Sequence, residues 1–340
     1  MRPTRWTRRR LAVLAGGVGV IVAGLAAAAF ALAGSADVVV YNGRSQYGDE
    51  AAFKAFEEQT GLDVELRGGT APELFERLRR EGDATDADLL VTTDLANLWR
   101  AEEAGLLEPV RTGALERQVA PGLHDPDGAW WGLSTRLRVP MRSTERVPDD
   151  AITSYEDLGD PRFRGRLCLR TSNNEYNQSW VADRIAKHGE AATERLLDSI
   201  MDGEPQILGS DVDVLEAIAA GTCDAGLANH YYLGRELAED PEFPVAPAWP
   251  DDGAHANVSG VGLVRGAEHR ADAIRLMEFL TDRRAQEAIV QNSEFAANPE
   301  VPPAAHLRAW ADVKADPIDV QRAGPALAQA VALMQTVGWR

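Results

Sequence analysis

Only two cysteines, Cys168 and Cys223, occur in 340 residues. Two cannot build a cysteine-rich zinc site or an iron–sulfur cluster, though they allow one disulfide in an oxidising compartment. Lysine is almost as scarce, at Lys54, Lys187 and Lys314, and 35 Lys and Arg face 53 Asp and Glu, a formal charge of −18. Without a basic surface there is no counterion release to draw on, so nucleic acid is not expected as a partner. The six histidines (His124, His188, His230, His255, His269, His306) show no metal-ligand spacing, and no carboxylate-rich calcium loop is present. No Gly-x-Ser-x-Gly elbow, HExxH or credible Ser/His/Asp arrangement appears either, so a hydrolase fits poorly and a non-enzymatic role is expected.

What is present begins with an unusual N-terminus. Arg2, Arg5, Arg8, Arg9 and Arg10 occur without an acid, and Leu11 to Ala33 is an unbroken apolar run ending in Ala31-Leu32-Ala33, small residues suited to a signal peptidase. Residues 1–36 therefore read as an export signal, and the protein as periplasmic or otherwise extracytoplasmic. The 23-residue run is also long enough to span a bilayer, so an uncleaved membrane anchor stays open. Thr7-Arg8-Arg9-Arg10-Leu11 loosely resembles a twin-arginine signal without its usual Phe-Leu. Setting those five arginines aside leaves 30 basic against 53 acidic residues, a soluble surface that repels anionic ones. Membrane contact is expected only through the N-terminal segment, and the exported part is expected to be a monomer.

The remaining chain alternates strand and helix. Val38 to Tyr41 is a strand, Glu50 to Gln59 a helix stopped at Gly61, Leu62 to Leu66 a strand, Pro72 to Arg80 a helix, Asp88 to Val91 a strand, and Asp94 to Ala104 a helix capped by Thr92, Thr93 or Asp94. A second set follows: strand Arg166 to Arg170, helices Tyr176 to His188, Ala191 to Met201 and Val212 to Ala220, strand Ala225 to Ala228, and a helix from Tyr231. This pitch argues for an α/β fold with a mainly parallel sheet, in two units. Leu133 to Val139 and Val258 to Val264 are strand-like and far apart in sequence, and could be two crossings of a hinge beside a ligand cleft.

In such sheets ligands meet the loops at the carboxyl ends of strands. Four such loops are Asn42 to Tyr47, Thr92 to Asp94, Ser172 to Gln178 and Asn229 to Tyr232, and they hold four of the six tyrosines. A single tyrosine at a helix start usually packs its ring and wets its hydroxyl; Tyr176, Tyr231 and Tyr232 converging from two loops is harder to dismiss. A phenol with a reference pKa of about 10 ionises beside a strongly charged cation, and hard anionic oxygen suits a hard trivalent ion, which makes ferric iron the ion this set fits.

The sequence resembles the periplasmic ferric-iron-binding proteins, solute receptors of ABC iron importers, and within them the branch of the cyanobacterial iron-deficiency-induced proteins. The resemblance is carried by Val39-Val40-Tyr41-Asn42-Gly43-Arg44, Ala87-Asp88-Leu89-Leu90-Val91-Thr92, Leu98 to Leu107, Gly165 to Asn174, Tyr176-Asn177-Gln178-Ser179, and Ala219 to Asp224 running into Asn229-His230-Tyr231-Tyr232-Leu233-Gly234-Arg235, and it covers residues 37 to 340. It implies a two-lobed periplasmic-binding-protein fold of type II with hinge strands between lobes, residues 37–137 with about 262–312 in one lobe and 138–261 with about 313–340 in the other. It implies Tyr176, Tyr231 and Tyr232 as tyrosinate ligands to Fe(III), a synergistic carbonate, and an ABC permease as partner. Arg44 and Arg136 are then candidates for the anion, a guanidinium offering a planar fork to it, with hydrogen bonds from Ser172 and Asn229. Their plain alternative is a surface or interlobe salt bridge. Cys168 and Cys223, a pair shared with this branch, are expected to form a disulfide that ties two ligand loops together.

The sequence also departs from the family. A His or His-Tyr pair often follows the first-loop arginine; here Ser45 and Gln46 stand there, with Tyr47 as a fourth candidate phenol. Where some relatives place a Glu ligand, this chain has Thr93. A receptor for a small anion without metal, or a membrane-tethered sensory module, therefore remain alternatives.

Overall fold

The computed structural model describes residues 36–44 and 50–340. Residues 1–35, nearly all of the segment read as an export signal, and the first-loop residues Ser45, Gln46 and Tyr47 lie outside the described residues. Strand β1 (Val38–Asn42) is buried along its whole length, and helix α1 (Glu50–Thr60) turns Ala52, Phe53 and Phe56 inward. After β2 (Val64–Gly68), helix α2 (Ala71–Glu81) opens on a capping box in which Thr70 and Glu73 satisfy each other's backbone N–H groups. Strand β3 (Leu89–Thr92) leads into α3 (Leu95–Glu103), and of the three possible caps it is Asp94 that accepts from the Ala96 N–H.

A long strand, β4 (Trp131–Ser143), then leaves this half. Beyond it come β5 (Leu167–Arg170), α4 (Glu175–His188), α5 (Glu190–Asp202), β6 (Gln206–Leu208), α6 (Asp211–Ala219), β7 (Ala225–Asn229) and α7 (His230–Glu239). A second long strand, β8 (Ala254–Val264), runs back, followed by α8 (Arg270–Thr281), α9 (Arg283–Val290) and α10 (Leu327–Thr336). No helix among the described residues is long and apolar enough to cross a membrane.

The strands form one sheet in the order β2-β1-β3-β8-β4-β7-β5-β6. Both ends are parallel, and the middle is antiparallel, because β8 and β4 pair with each other and each joins one end set. The two hinge crossings read from sequence are thus neighbours, longer than their apolar stretches suggested. A bulge falls between Ser259 and Gly260 of β8, where a Cβ on Gly260 would lie 2.8 Å from the Trp131 carbonyl oxygen.

Two hydrophobic cores flank this middle. Val38, Val40, Phe53, Phe56, Leu89, Val91, Met277 and Ile289 belong to the first; Val139, Val214, Leu215, Ile218, Leu233, Leu307 and Trp310 belong to the second. The long strands serve both: Trp131, Leu133, Val261 and Leu263 enter the first, and Leu137, Met141, Ala254 and Ala256 the second.

Cys168 and Cys223 form a disulfide in the second core, with Cα atoms 5.9 Å apart and a sequence separation of 55. It joins β5, which leads toward Tyr176, to the approach of β7, which leads toward Tyr231. Closing a loop of this length in the unfolded chain should contribute about 4 kcal/mol, so a Cys168→Ala/Cys223→Ala variant should unfold at distinctly lower urea concentration with little change in secondary structure. Near the end of α3, the Glu102 carboxyl is pushed up to about 7 by burial and by Asp125. Its folded pKa exceeds its unfolded one, so the stability it contributes is present in acid and lost as pH rises toward and through 7. Glu102→Gln should therefore raise the melting temperature more at pH 8 than at pH 5.

Candidate functional site

The two long strands alternate strictly where they cross between cores. On one face lie Leu133, Thr135, Leu137 and Val139 of β4 with Ala254, Ala256 and Val258 of β8; on the other lie Ser134, Arg136 and Arg138 with His255, Asn257 and Ser259. Register places His255 opposite Arg138, Asn257 opposite Arg136 and Ser259 opposite Ser134. All six polar side chains are buried.

Burying two arginines two residues apart requires partners. Arg138 has them: Nη1 donates to Asp211 Oδ2 and Asn229 Oδ1, each at 3.1 Å, and Nη2 donates to Asn177. Arg136 is half-served. Its Nη1 donates to Ser259 Oγ at 2.8 Å, while Nε and Nη2, one edge of the planar fork, have no partner, and the guanidinium lies 5.0 Å over the Tyr176 ring. Tyr176, in the first turn of α4, is buried and its hydroxyl is likewise unpartnered. Arg136, Arg138, Tyr176, Asn229, His255 and Asn257 line a cavity of about 10 Å³.

Tyr231 and Tyr232 open α7 directly after β7. Their rings lie 4.3 Å apart between centroids, and Arg235, one turn on, sits 5.0 Å over the first ring and 5.8 Å over the second. Asn229 connects this pair with the cavity, its Nδ2 reaching the Tyr231 hydroxyl at 3.5 Å while Oδ1 holds Arg138. The helix start is pinned from behind by His230, which stacks on Phe295 at 4.7 Å and accepts from the Leu137 N–H at 3.0 Å. Gly234 lets α7 approach residue 293: a Cβ there would stand 3.0 Å from that of Ser293.

The halves meet across the cleft through Asp94. Its Oδ1 caps α3, and its Oδ2 accepts from Asn257 Nδ2 at 2.8 Å and from the Ser179 hydroxyl, one turn beyond Tyr176 on α4. Thr93, at the position where some relatives carry Glu, offers its carbonyl to Ser259. Arg44 is buried on the Glu294 carboxylate, with Nη1 donating at 3.2 Å and Nη2 at 3.4 Å, and it also donates to Ser134 Oγ. Burial would raise the Glu294 pKa, but Arg44, Arg136 and Ser134 outweigh it and hold the carboxyl below its ordinary value. Ser172 stands outside the cavity lining, giving its carbonyl to Gln178.

Of the residues singled out in the sequence, the structure thus gathers Tyr176, Arg136 and Asn229 around one cavity, with Tyr231 and Tyr232 joined to it through Asn229, and engages Arg44 in an ion pair. His255, Asn257, Ser259, Arg138 and Glu294 went unread as site residues, and Asp94 was read as a cap and loop residue without its link to Asn257 and Ser179. The signal for most of them was the alternation in Ser134-Thr135-Arg136-Leu137-Arg138 and His255-Ala256-Asn257-Val258-Ser259; for Glu294 there was none. Among the described residues no group of three His, Cys, Asp or Glu is placed to hold a metal.

The sequence profile of the bacterial extracellular solute-binding proteins matches residues 86–319. The chain belongs to this family. Iron uptake protein A1 of Synechocystis sp. is 38% identical over 317 residues, 89% of this chain and 88% of that one. The major ferric iron-binding protein of Neisseria meningitidis serogroup B is 27% identical, covering 83% and 86%. Among solved structures, a Trichodesmium protein (IdiA, FutA) in complex with iron and citrate superposes with a TM-score of 0.81 at 34% identity, covering 89% of this chain and 99% of that one. This solute-binding protein has the two-lobed type II periplasmic-binding-protein fold and is not an enzyme.

Breaking a buried ion pair from one side strands the other charge. Arg44→Met should cost about 3–5 kcal/mol, and Arg44→Met/Glu294→Leu should recover most of it, as read from urea unfolding of the two variants beside the parent chain.

Proposed function

We propose that the protein is an extracytoplasmic receptor that captures Fe(III) in the cleft between its lobes and delivers it to the permease of an ABC importer. The observation that carries this reading is the buried Tyr176 hydroxyl without a partner, on a cavity whose Asn229 also reaches the hydroxyl of Tyr231 in the Tyr231–Tyr232 pair. A buried phenol with nothing to bond is costly unless something else meets its oxygen. Three phenols that lose their protons on binding would balance the charge of a ferric ion, which is the cargo here.

The iron-binding names of the relatives support the choice of cargo, and the Arg- and Ala-rich N-terminus supports export. The unpartnered Nε/Nη2 edge of Arg136 supports a small synergistic anion such as carbonate, with Asn229 at hand and with Arg44 serving the site through Glu294 and Ser134. Tyr47 remains a fourth candidate ligand. The lobes hinge at β4 and β8. One comprises residues 37–137 with about 262–304, the other 138–261 with about 305–340; the boundary moves from about 312 because Leu307 and Trp310 pack in the second core.

Adding ferric iron to the apo protein in mildly alkaline, hydrogencarbonate-containing buffer should produce a visible charge-transfer band. Tyr176→Phe/Tyr231→Phe/Tyr232→Phe should abolish it while leaving the fold intact by circular dichroism. A colourless mixture with the parent chain would overturn the iron assignment.

A further inference from the structure

Trp99, on α3, belongs to neither apolar core and has no part in the site described above. Its half-buried indole crosses instead to the C-terminal segment of the chain. That segment is fastened to the second half. Ala315–Pro317 pairs with Ala254–Ala256 of β8, and Lys187 of α4 holds the Asp316 carboxylate at 2.6 Å and the Pro317 carbonyl at 3.2 Å. Further on, the buried Trp339 donates from Nε1 to the Arg170 carbonyl at 2.9 Å. Between these ties a single helical turn, Val320–Ala323, and Gly324 come against α3.

The glycine is explained by that approach. Its φ of −54° and ψ of −51° are right-handed helical values that any residue adopts, so no turn requires it. A Cβ there would stand 2.4 Å from Cδ2 and from Cε3 of the Trp99 ring, well inside contact distance. The indole therefore rests against bare backbone, while its Nε1 donates to Gln321 Oε1 at 3.2 Å.

Helix α3 thus grips the second half at two points five residues apart, the Asp94 side chain on Ser179 and Trp99 on Gly324. Both pairs line a cavity of about 480 Å³, so the halves are not packed continuously there and each grip is a point contact. The two differ physically. When Asp94 and Ser179 part, water takes the place of each partner at little net cost. When Trp99 leaves Gly324, apolar ring surface returns to water and nothing replaces what is lost.

We propose that Trp99 and Gly324 form a latch that holds the cleft shut and sets how fast cargo leaves it. This rests on the two hinged lobes proposed above and adds the residues that govern their opening. Gly324→Ala is the incisive variant, because alanine suits a helical position better than glycine does and so breaks the latch without weakening the fold.

The test needs no iron. Nitroxide labels on Glu58→Cys of α1 and Asp198→Cys of α5, both exposed, report the separation of the halves by pulsed electron paramagnetic resonance; the native cysteines are paired in the disulfide and take no label. The parent chain should show a shut and a parted population. Gly324→Ala and Trp99→Ala should each lower the shut-to-parted ratio about fivefold, as expected for losing one aromatic contact, and either carries the test should the other not fold. Gly324→Ala should nevertheless unfold at a urea concentration no lower than the parent's, which a merely structural role would not allow. Trp99→Ala/Gly324→Ala should give the ratio of Trp99→Ala alone, because without the ring the Cβ has nothing to strike. Loaded with ferric iron, both single variants should lose the charge-transfer band to excess EDTA about fivefold faster than the parent, at an unchanged band position. Equal populations in the parent and both variants overturn the latch, and shifted populations with unshifted release rates overturn its hold on cargo. A parent chain that never develops the band overturns the iron reading, and the label distances then decide the latch by themselves.

Discussion

Two guanidinium groups buried side by side on one strand set the conditions that the rest of the cleft answers. Arg136 and Arg138 lie two positions apart on β4, on the face turned away from both apolar cores. The interior accepts such charges only where acceptors are brought to them from elsewhere in the chain. Asp211, Asn229 and Asn177 come to Arg138 from the second half; Ser259 and, through the field of its carboxylate, Glu294 attend Arg136. Asn177 and Asn229 come from the segments that carry Tyr176 and the Tyr231–Tyr232 pair. Compensating the Arg138 charge therefore also fixes where these tyrosines stand, while one edge of Arg136 is served by no protein group.

The cores hold the cleft from behind. Because β4 and β8 feed each core with different residues of the same two strands, the polar stretch between those contributions spans the hinge itself. The site sits on the strand pair that joins the two cores, with groups from both halves turned toward it. The disulfide lies within one half only and stiffens the base of both tyrosine loops without crossing the hinge.

Much of this was legible in the residues. β-branched runs and amphipathic helices announced the alternating α/β order, and Asp94, one of three caps considered for α3, proved to be the cap because its side chain alone reaches the Ala96 N–H. The tyrosine pair and Tyr176 were visible as phenols at strand ends. What could not be read locally was pairing at a distance. His255 and Asn257 become site residues only because β8 lies antiparallel to β4, more than a hundred residues earlier, and nothing near Glu294 in the chain points to Arg44. Arg44 itself looked equally suited to an anion or a salt bridge, a choice that depends on whether a carboxylate arrives from the far end of the chain. Helices α8 to α10 went unread although they fill out the architecture, since their patterns carry apolar residues and no chemistry of their own.

Asp94 divides its labour between its two oxygens. One is given to the first turn of α3, and the other reaches Asn257 and, across the cleft, Ser179. Were the halves to part, the contact with Ser179 would be given up while the helix kept its terminus capped, because the oxygen facing Ser179 is not the oxygen that holds the first turn of α3.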